Sequence, residues 1–193
     1  MTSLNGENFF FFNEDCSELH ILPNSIEHAY LAILNDDLKS AKIVFSGIES
    51  PRAVWGKVLV SILEGYMPEY PSYFGIRNFL EIDLNFLLRN NKIDYVEQFL
   101  GALDTLAIIN QETFKFTAKA MMVNRLYTST LKYMEKSKEI FYNDPELHYM
   151  YAKFYMDIGR YKEAYASITE CLNFLPDYYP AQVIKEKIEE MCF

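Results

Sequence analysis

The stretch "YAKFYMDIGRYKEAYASITECLNFLP", Tyr151 to Pro176, decides the architecture. Tyr151, Phe154, Tyr155 and Ile158 recur at helical spacing. Gly159 ends that helix, because glycine enters the left-handed conformation at little cost. Tyr161, Ala164, Tyr165, Ile168, Cys171, Leu172 and Leu175 then set out a second amphipathic helix, which Pro176 closes. Two helices joined by so short a turn pack antiparallel. Ala152 lies in the middle of the first helix and Ala164 early in the second. Small side chains at both places let the two backbones approach, so the alanines mark the crossing and the glycine marks the turn.

These residues resemble the tetratricopeptide repeat, a helix–turn–helix unit of 34 residues. With Pro145 as position 1, the family's small residue at position 8 is Ala152 and its aromatic at 11 is Tyr155. The glycine at 15 is Gly159, the aromatic at 17 is Tyr161 and the alanine at 20 is Ala164. Ile168, Cys171 and Pro176 fill positions 24, 27 and 32, while His148 stands where the common Trp of position 4 would be.

The period continues upstream. A unit from Gln111 puts Ala118, Tyr127, Thr130, Met134 and Ser137 on positions 8, 17, 20, 24 and 27, with Arg125 in place of the turn glycine. A unit from Arg77 matches weakly: Leu84, Val96 and Leu103 fill the small positions. Its "LLRNNKIDY" still reads as a turn between two helices, Asn90 and Asn91 both tolerating the left-handed conformation. A unit from Leu22 places Ala29, Ala41 and Phe45 on positions 8, 20 and 24, but its start is 55 residues before Arg77 (77 − 22), so the period breaks.

An extra helix occupies the break, with Ser50 as N-cap and Pro51 in its first turn. "PEYPSYFG", with Pro68, Pro71 and Gly75, follows as the clearest linker. Its Tyr70, Tyr73 and Phe74 suit an exposed contact loop or a packed connection. The expected fold is all-α: an α-solenoid of stacked helix–turn–helix units, irregular over 22–110 and regular over 111–178. A charged capping helix over 179–192 closes its end, as an array requires. Residues 1–21 form an N-terminal extension without repeat character.

Composition excludes several functions. The chain of 193 residues is 50% hydrophobic and carries a net charge of −9. Nucleic-acid affinity comes largely from basic contacts to phosphates, so a nucleic-acid partner is not expected. A polybasic membrane role is not expected either. The first Lys or Arg is Lys39, so a secretory signal's charged start is missing, and "FFFF" at Phe9 to Phe12 is too short to span a bilayer. The sequence reads as a cytoplasmic protein. Cys16, Cys171 and Cys192 are odd in number and widely spaced, so no disulfide framework is expected.

No catalytic motif is present: there is no Gly-rich phosphate loop, no Gly-x-Ser-x-Gly and no His-Glu-x-x-His. His20, His28 and His148 form no ligand set, and Cys171 on position 27 reads as a small core residue. The carboxylates scatter over solvated faces. No cofactor, no metal and no enzyme activity are expected.

What remains is surface. The repeat resemblance implies that positions 2, 5, 9 and 12 of each first helix line a concave groove. Those are Glu112, Lys115, Lys119 and Met122, then Glu146, Tyr149, Lys153 and Met156. Three lysines on one inner face suit an acidic peptide, although ordinary solvated positions would look the same. Phe116 and Met150 stand at position 6, where chaperone-binding members carry the asparagines of a carboxylate clamp, which speaks against that role. The sequence therefore predicts a non-catalytic module that holds a partner protein or peptide in its groove. The alternative is a structural or assembly subunit, or a homodimer built through the Phe-rich N-terminus; that segment by itself reads rather as a cover over the first hairpin, because the ends of arrays need covering.

Overall fold

A computed structural model describes residues 22–67 and 75–192. The "FFFF" segment, Cys16 and His20 lie outside the described residues, as do residues 68–74 of the linker. Among the described residues the chain is all helical. Its repeats are pairs: α1 (Ile26–Leu34) with α2 (Leu38–Ser46), and α4 (Ile76–Arg89) with α5 (Ile93–Gly101). Then come α7 (Thr113–Val123) with α8 (Tyr127–Ile140), and α9 (Pro145–Asp157) with α10 (Tyr161–Phe174). Three helices fall outside the pairs: α3 (Pro51–Leu63), α6 (Leu103–Ile109) and the terminal α11 (Tyr179–Cys192).

Each pair turns in the same way. Position 15 is left-handed in all four: Asp36 at φ 60°, Asn91 at 53°, Arg125 at 57° and Gly159 at 74°. The next residue's N–H bonds back to position 11: Asp37 to Ala32 at 2.9 Å, Lys92 to Leu87 at 3.0 Å, Leu126 to Met121 at 3.0 Å and Arg160 to Tyr155 at 2.8 Å. These bonds satisfy carbonyls that a helix end would otherwise orphan. Only one of the four residues is glycine, so the turn is imposed on Arg125 against its own preference.

The crossings behind these turns are dry. Ala29, Ala41, Ala118, Thr130, Ala152 and Ala164 are all fully buried. The pair with large residues there differs. Leu84 and Val96 hold α5 off α4, and α5 also leans on α3. The second helix of that unit then breaks at Gly101, a poor helix former. The break turns Leu103 and Leu106 of α6 inward, where they are buried.

α3 fits into the array as the sequence predicts, with Ser50 accepting from the Ala53 N–H and Pro51 opening the helix. It lies close on α2 because residue 56 is glycine: a Cβ there would run into the Phe45 ring. One buried polar cluster, invisible in the sequence, ties α1, α3 and α4 together. The Tyr30 hydroxyl donates to Asp83 Oδ1 at 2.6 Å, and Arg52 bonds both. Burial pushes the Asp83 carboxyl above its ordinary range, against the opposing pull of Arg52 and Tyr30. At the far end α11 packs on α10 through Ala181 and Ile188. It turns Gln182, Glu186, Lys187 and Glu190 outward, so the array ends in a polar surface.

Ala164 decides the crossing of the last pair. Ala164→Leu overpacks it and costs about 1–3 kcal/mol. Thermal melting checks this; an unchanged midpoint contradicts the assignment of position 20.

Candidate functional site

The first helices of successive units, α4, α7 and α9, follow one another, with α7 packed closely on α4 and touching α9 more lightly. α11 begins 34 residues after α9 (179 − 145) and takes the first-helix place of a further unit. The face these helices share is the candidate site. Its positions 2, 5, 9 and 12 are only partly those the sequence marks as free.

Lys115 is the main departure. It is 2% exposed, not a groove cation. Its ammonium lies 2.5 Å from Glu112 Oε1, 2.7 Å from Asp144 Oδ2 and 3.0 Å from Glu146 Oε2. Burial disfavours its charge. The hydrogen bonds to Asp144, Glu112 and Glu146 outweigh that and hold its pKa above the ordinary lysine value. Asp144 is positioned for this because it also caps α9, accepting from the Glu146 and Leu147 N–H groups.

Lys119 is half-buried and pairs with Glu81 of α4 at 3.0 Å. Glu81 also takes Arg77 at 3.0 Å, and Arg77 reaches Glu146 at 3.5 Å. The lysine pair of α7 is therefore consumed in a lattice of Arg77, Lys115 and Lys119 against Glu81, Glu112, Asp144 and Glu146 that joins three helices. The expectation of three free lysines is corrected accordingly. A like-charged strip of three on neighbouring helices would repel, so neutralisation by acids already in the sequence is the stable arrangement.

Lys153 is exposed and lies 5.8 Å over the Tyr149 ring, with no ion pair among the described residues. Met122, Tyr149 and Met156 are half-exposed beside it. Beyond them the face gains a residue the sequence reading missed. Lys187 of α11, one period after Lys153 (153 + 34), is exposed at the same position 9. Taking α11 for a cap alone hid it, though the step of 34 was there to find. Asn85 of α4 stands at the opposite end, bonded to Asn124 of α7.

Two residues that the sequence singled out for possible chemistry serve packing here. His148 is a packing residue, bonded through Nε2 to the Tyr142 carbonyl at 2.8 Å. Cys171 is fully buried, and burial pushes its thiol up to about 11, the wrong direction for a nucleophile. Among the described residues no group of three or more His, Cys, Asp or Glu is placed to hold a metal. Among them no helix is long and apolar enough to cross a membrane.

The comparisons with known proteins agree with this geometry. A solved structure, the thermophilic TPR protein TTC0263 of Thermus thermophilus, superposes with a TM-score of 0.51. The chain has a tetratricopeptide-repeat fold. The match covers 86% of this chain and 97% of that one at 16% identity, so the likeness is one of fold. No family model matches the chain, and no curated protein matches it.

The lattice makes a prediction about Lys115. Lys115→Ala leaves its carboxylates without their cation and costs about 3–5 kcal/mol at neutral pH. A lysine whose folded pKa is raised contributes fully below its unfolded value, near 10.4. The difference between wild type and variant therefore holds from neutral pH to about pH 10 and shrinks above it. Melting curves across pH check this, and a difference that collapses below about pH 9 contradicts it.

Proposed function

We propose that this protein is a non-catalytic interaction module that holds a segment of a partner protein on the shared face of α4, α7, α9 and α11. The observation that carries this reading is the state of position 9 along that face. Lys119 is tied to Glu81, while Lys153 and Lys187 are exposed, in successive units. The half-exposed Met122, Tyr149 and Met156 lie between them. A charged ladder beside adaptable apolar side chains suits an extended or helical peptide.

The peptide is acidic in this reading. Lys153 and Lys187 stand without ion pairs among the described residues while the chain as a whole carries −9. A local cationic strip on an acidic surface steers an anionic partner and repels others. Glu112, Lys115 and Glu146 act from beneath, holding the helices in register rather than touching the ligand directly.

Lys153→Glu with Lys187→Glu tests this. Both side chains are exposed, so the fold survives. Pull-downs at low and moderate salt should lose their partners, with wild-type binding weakening as salt rises. Retention of every partner with unchanged salt dependence rejects this face as the binding surface.

A further inference from the structure

Residues 1–21 lie outside the described residues, but their composition matches the shared face of the first helices. They carry Glu7, Glu14, Asp15 and Glu18 and no Lys or Arg, and Phe9 to Phe12 stand among these acids. An anionic peptide with large apolar side chains is the kind of ligand that face suits, and this chain brings one of its own.

The two sides are complementary in charge and in packing. Lys153 and Lys187 are exposed, without ion pairs among the described residues. Met122 and Met156 lie beside them, and thioethers pack well against aromatic rings. Tyr149 stands edge-on to Tyr178 at 5.4 Å, a pair that a further ring can extend. The first hairpin, the other surface such a segment could cover, matches less well. From Ile26 to Ser46 it has three acids and two lysines, and Lys42 is already paired with Glu64 at 2.8 Å. A cover there buries the phenylalanines but leaves the acids without cations.

The segment is long enough to reach. The described chain starts at Leu22, ahead of α1. α1 meets α4 through the Tyr30–Asp83 bond of 2.6 Å, α4 packs on α7, and α7 touches α9. At about 10 Å per helix step, α9 lies roughly 30 Å from α1. Phe12 is ten residues before Leu22 (22 − 12), which spans roughly 33 Å when extended; Glu7 is fifteen before (22 − 7), roughly 50 Å.

We propose that residues 1–21 dock on this protein's own shared face, with the phenylalanines against Met122, Tyr149 and Met156 and the acids toward Lys153 and Lys187, and compete there with the partner. The proposal rests on that face being the binding surface. It makes the free chain self-occluded, so a partner's apparent affinity falls with the fraction of chains left open. Each exposed charge contact is weak, but attachment to the same chain keeps the segment at high local concentration.

The test uses the full chain, labelled at methionine and isoleucine methyls. Replacing Phe9, Phe10, Phe11 and Phe12 together with Ser should move the Met122 and Met156 signals, which lose the ring currents, and leave the buried Met134 in place. Replacing Glu7, Glu14, Asp15 and Glu18 with their amides should move the same signals the same way. A peptide of residues 1–21 should bind the serine variant and return its signals toward the wild-type positions. It should bind the wild-type chain, and the serine variant carrying Lys153→Glu and Lys187→Glu, at least about tenfold more weakly. In pull-downs the serine variant should retain several times more partner than wild type. Four results overturn the proposal: Met122 and Met156 unmoved by the serine changes, shifts at Ile26 and Ile33 of α1 instead, equal binding of the peptide by all three chains, or signals that move with protein concentration, which would seat the segment on a second copy. If Met122 and Met156 stay unmoved while pull-downs still depend on Lys153 and Lys187, the proposal falls and the binding face stands. If they move while pull-downs ignore both lysines, the segment docks as proposed and the reading of the face as a partner site falls.

Discussion

A single left-handed residue at position 15 of each unit governs the array. It reverses the chain in three residues and orients the following helix so that its position 20 falls on position 8 of the helix before. Gly159 adopts that conformation at little cost, and the short polar side chains of Asp36 and Asn91 tolerate it; Arg125 does so at a cost of roughly 1–2 kcal/mol on the ordinary scale for L-residues. The bond back to position 11 and the dry crossing behind it offset that cost. Because the turn repeats, the first helices of the units come to lie side by side, and whatever they carry at positions 2, 5, 9 and 12 becomes one continuous face.

That face is the product of two competing electrostatic demands. Repetition places like charges from neighbouring helices together, which destabilises the stack. Acids at Glu81, Asp144 and Glu146 answer the cations at Arg77, Lys115 and Lys119, and the result is a lattice that joins α4, α7 and α9. Its centre, Lys115, is nearly inaccessible and serves cohesion rather than recognition. The side of the face that the lattice does not reach, where Lys153 and Lys187 are exposed, is the surface proposed above for a partner. In that proposal one row of repeat positions is divided between holding the array together and meeting a partner.

The repeats were legible in the sequence because small residues, a turn residue and a closing proline recur with a fixed period. Pro145 to Pro176 carries all of them, and the helices there fall where the pattern puts them. Arg125 concealed a turn that its unit's other positions still betrayed. What the sequence withheld was pairing across units. Lys115 and Lys119 sit one turn apart on one helix, which reads as an exposed basic strip; Asp144 and Glu81, which neutralise them, lie 29 and 38 residues away. Tyr30, Arg52 and Asp83 were hidden for the same reason, being three ordinary polar positions until α1, α3 and α4 meet. The break at Gly101 was not read either, since one glycine only weakens a helix, and the inward turn of Leu103 and Leu106 shows only once α6 meets α7.

The central claim is that, where positions 8 and 20 are small, the same turn sets the same crossing whether or not the turn residue is glycine. Nuclear Overhauser contacts between alanine and threonine methyl groups measure this directly. The account predicts cross-peaks between Ala152 and Ala164 in the glycine-turn unit, and equally between Ala118 and Thr130 in the Arg125 unit and Ala29 and Ala41 in the Asp36 unit. Cross-peaks confined to Ala152 and Ala164 would contradict it, showing that the non-glycine turns do not bring their helices together.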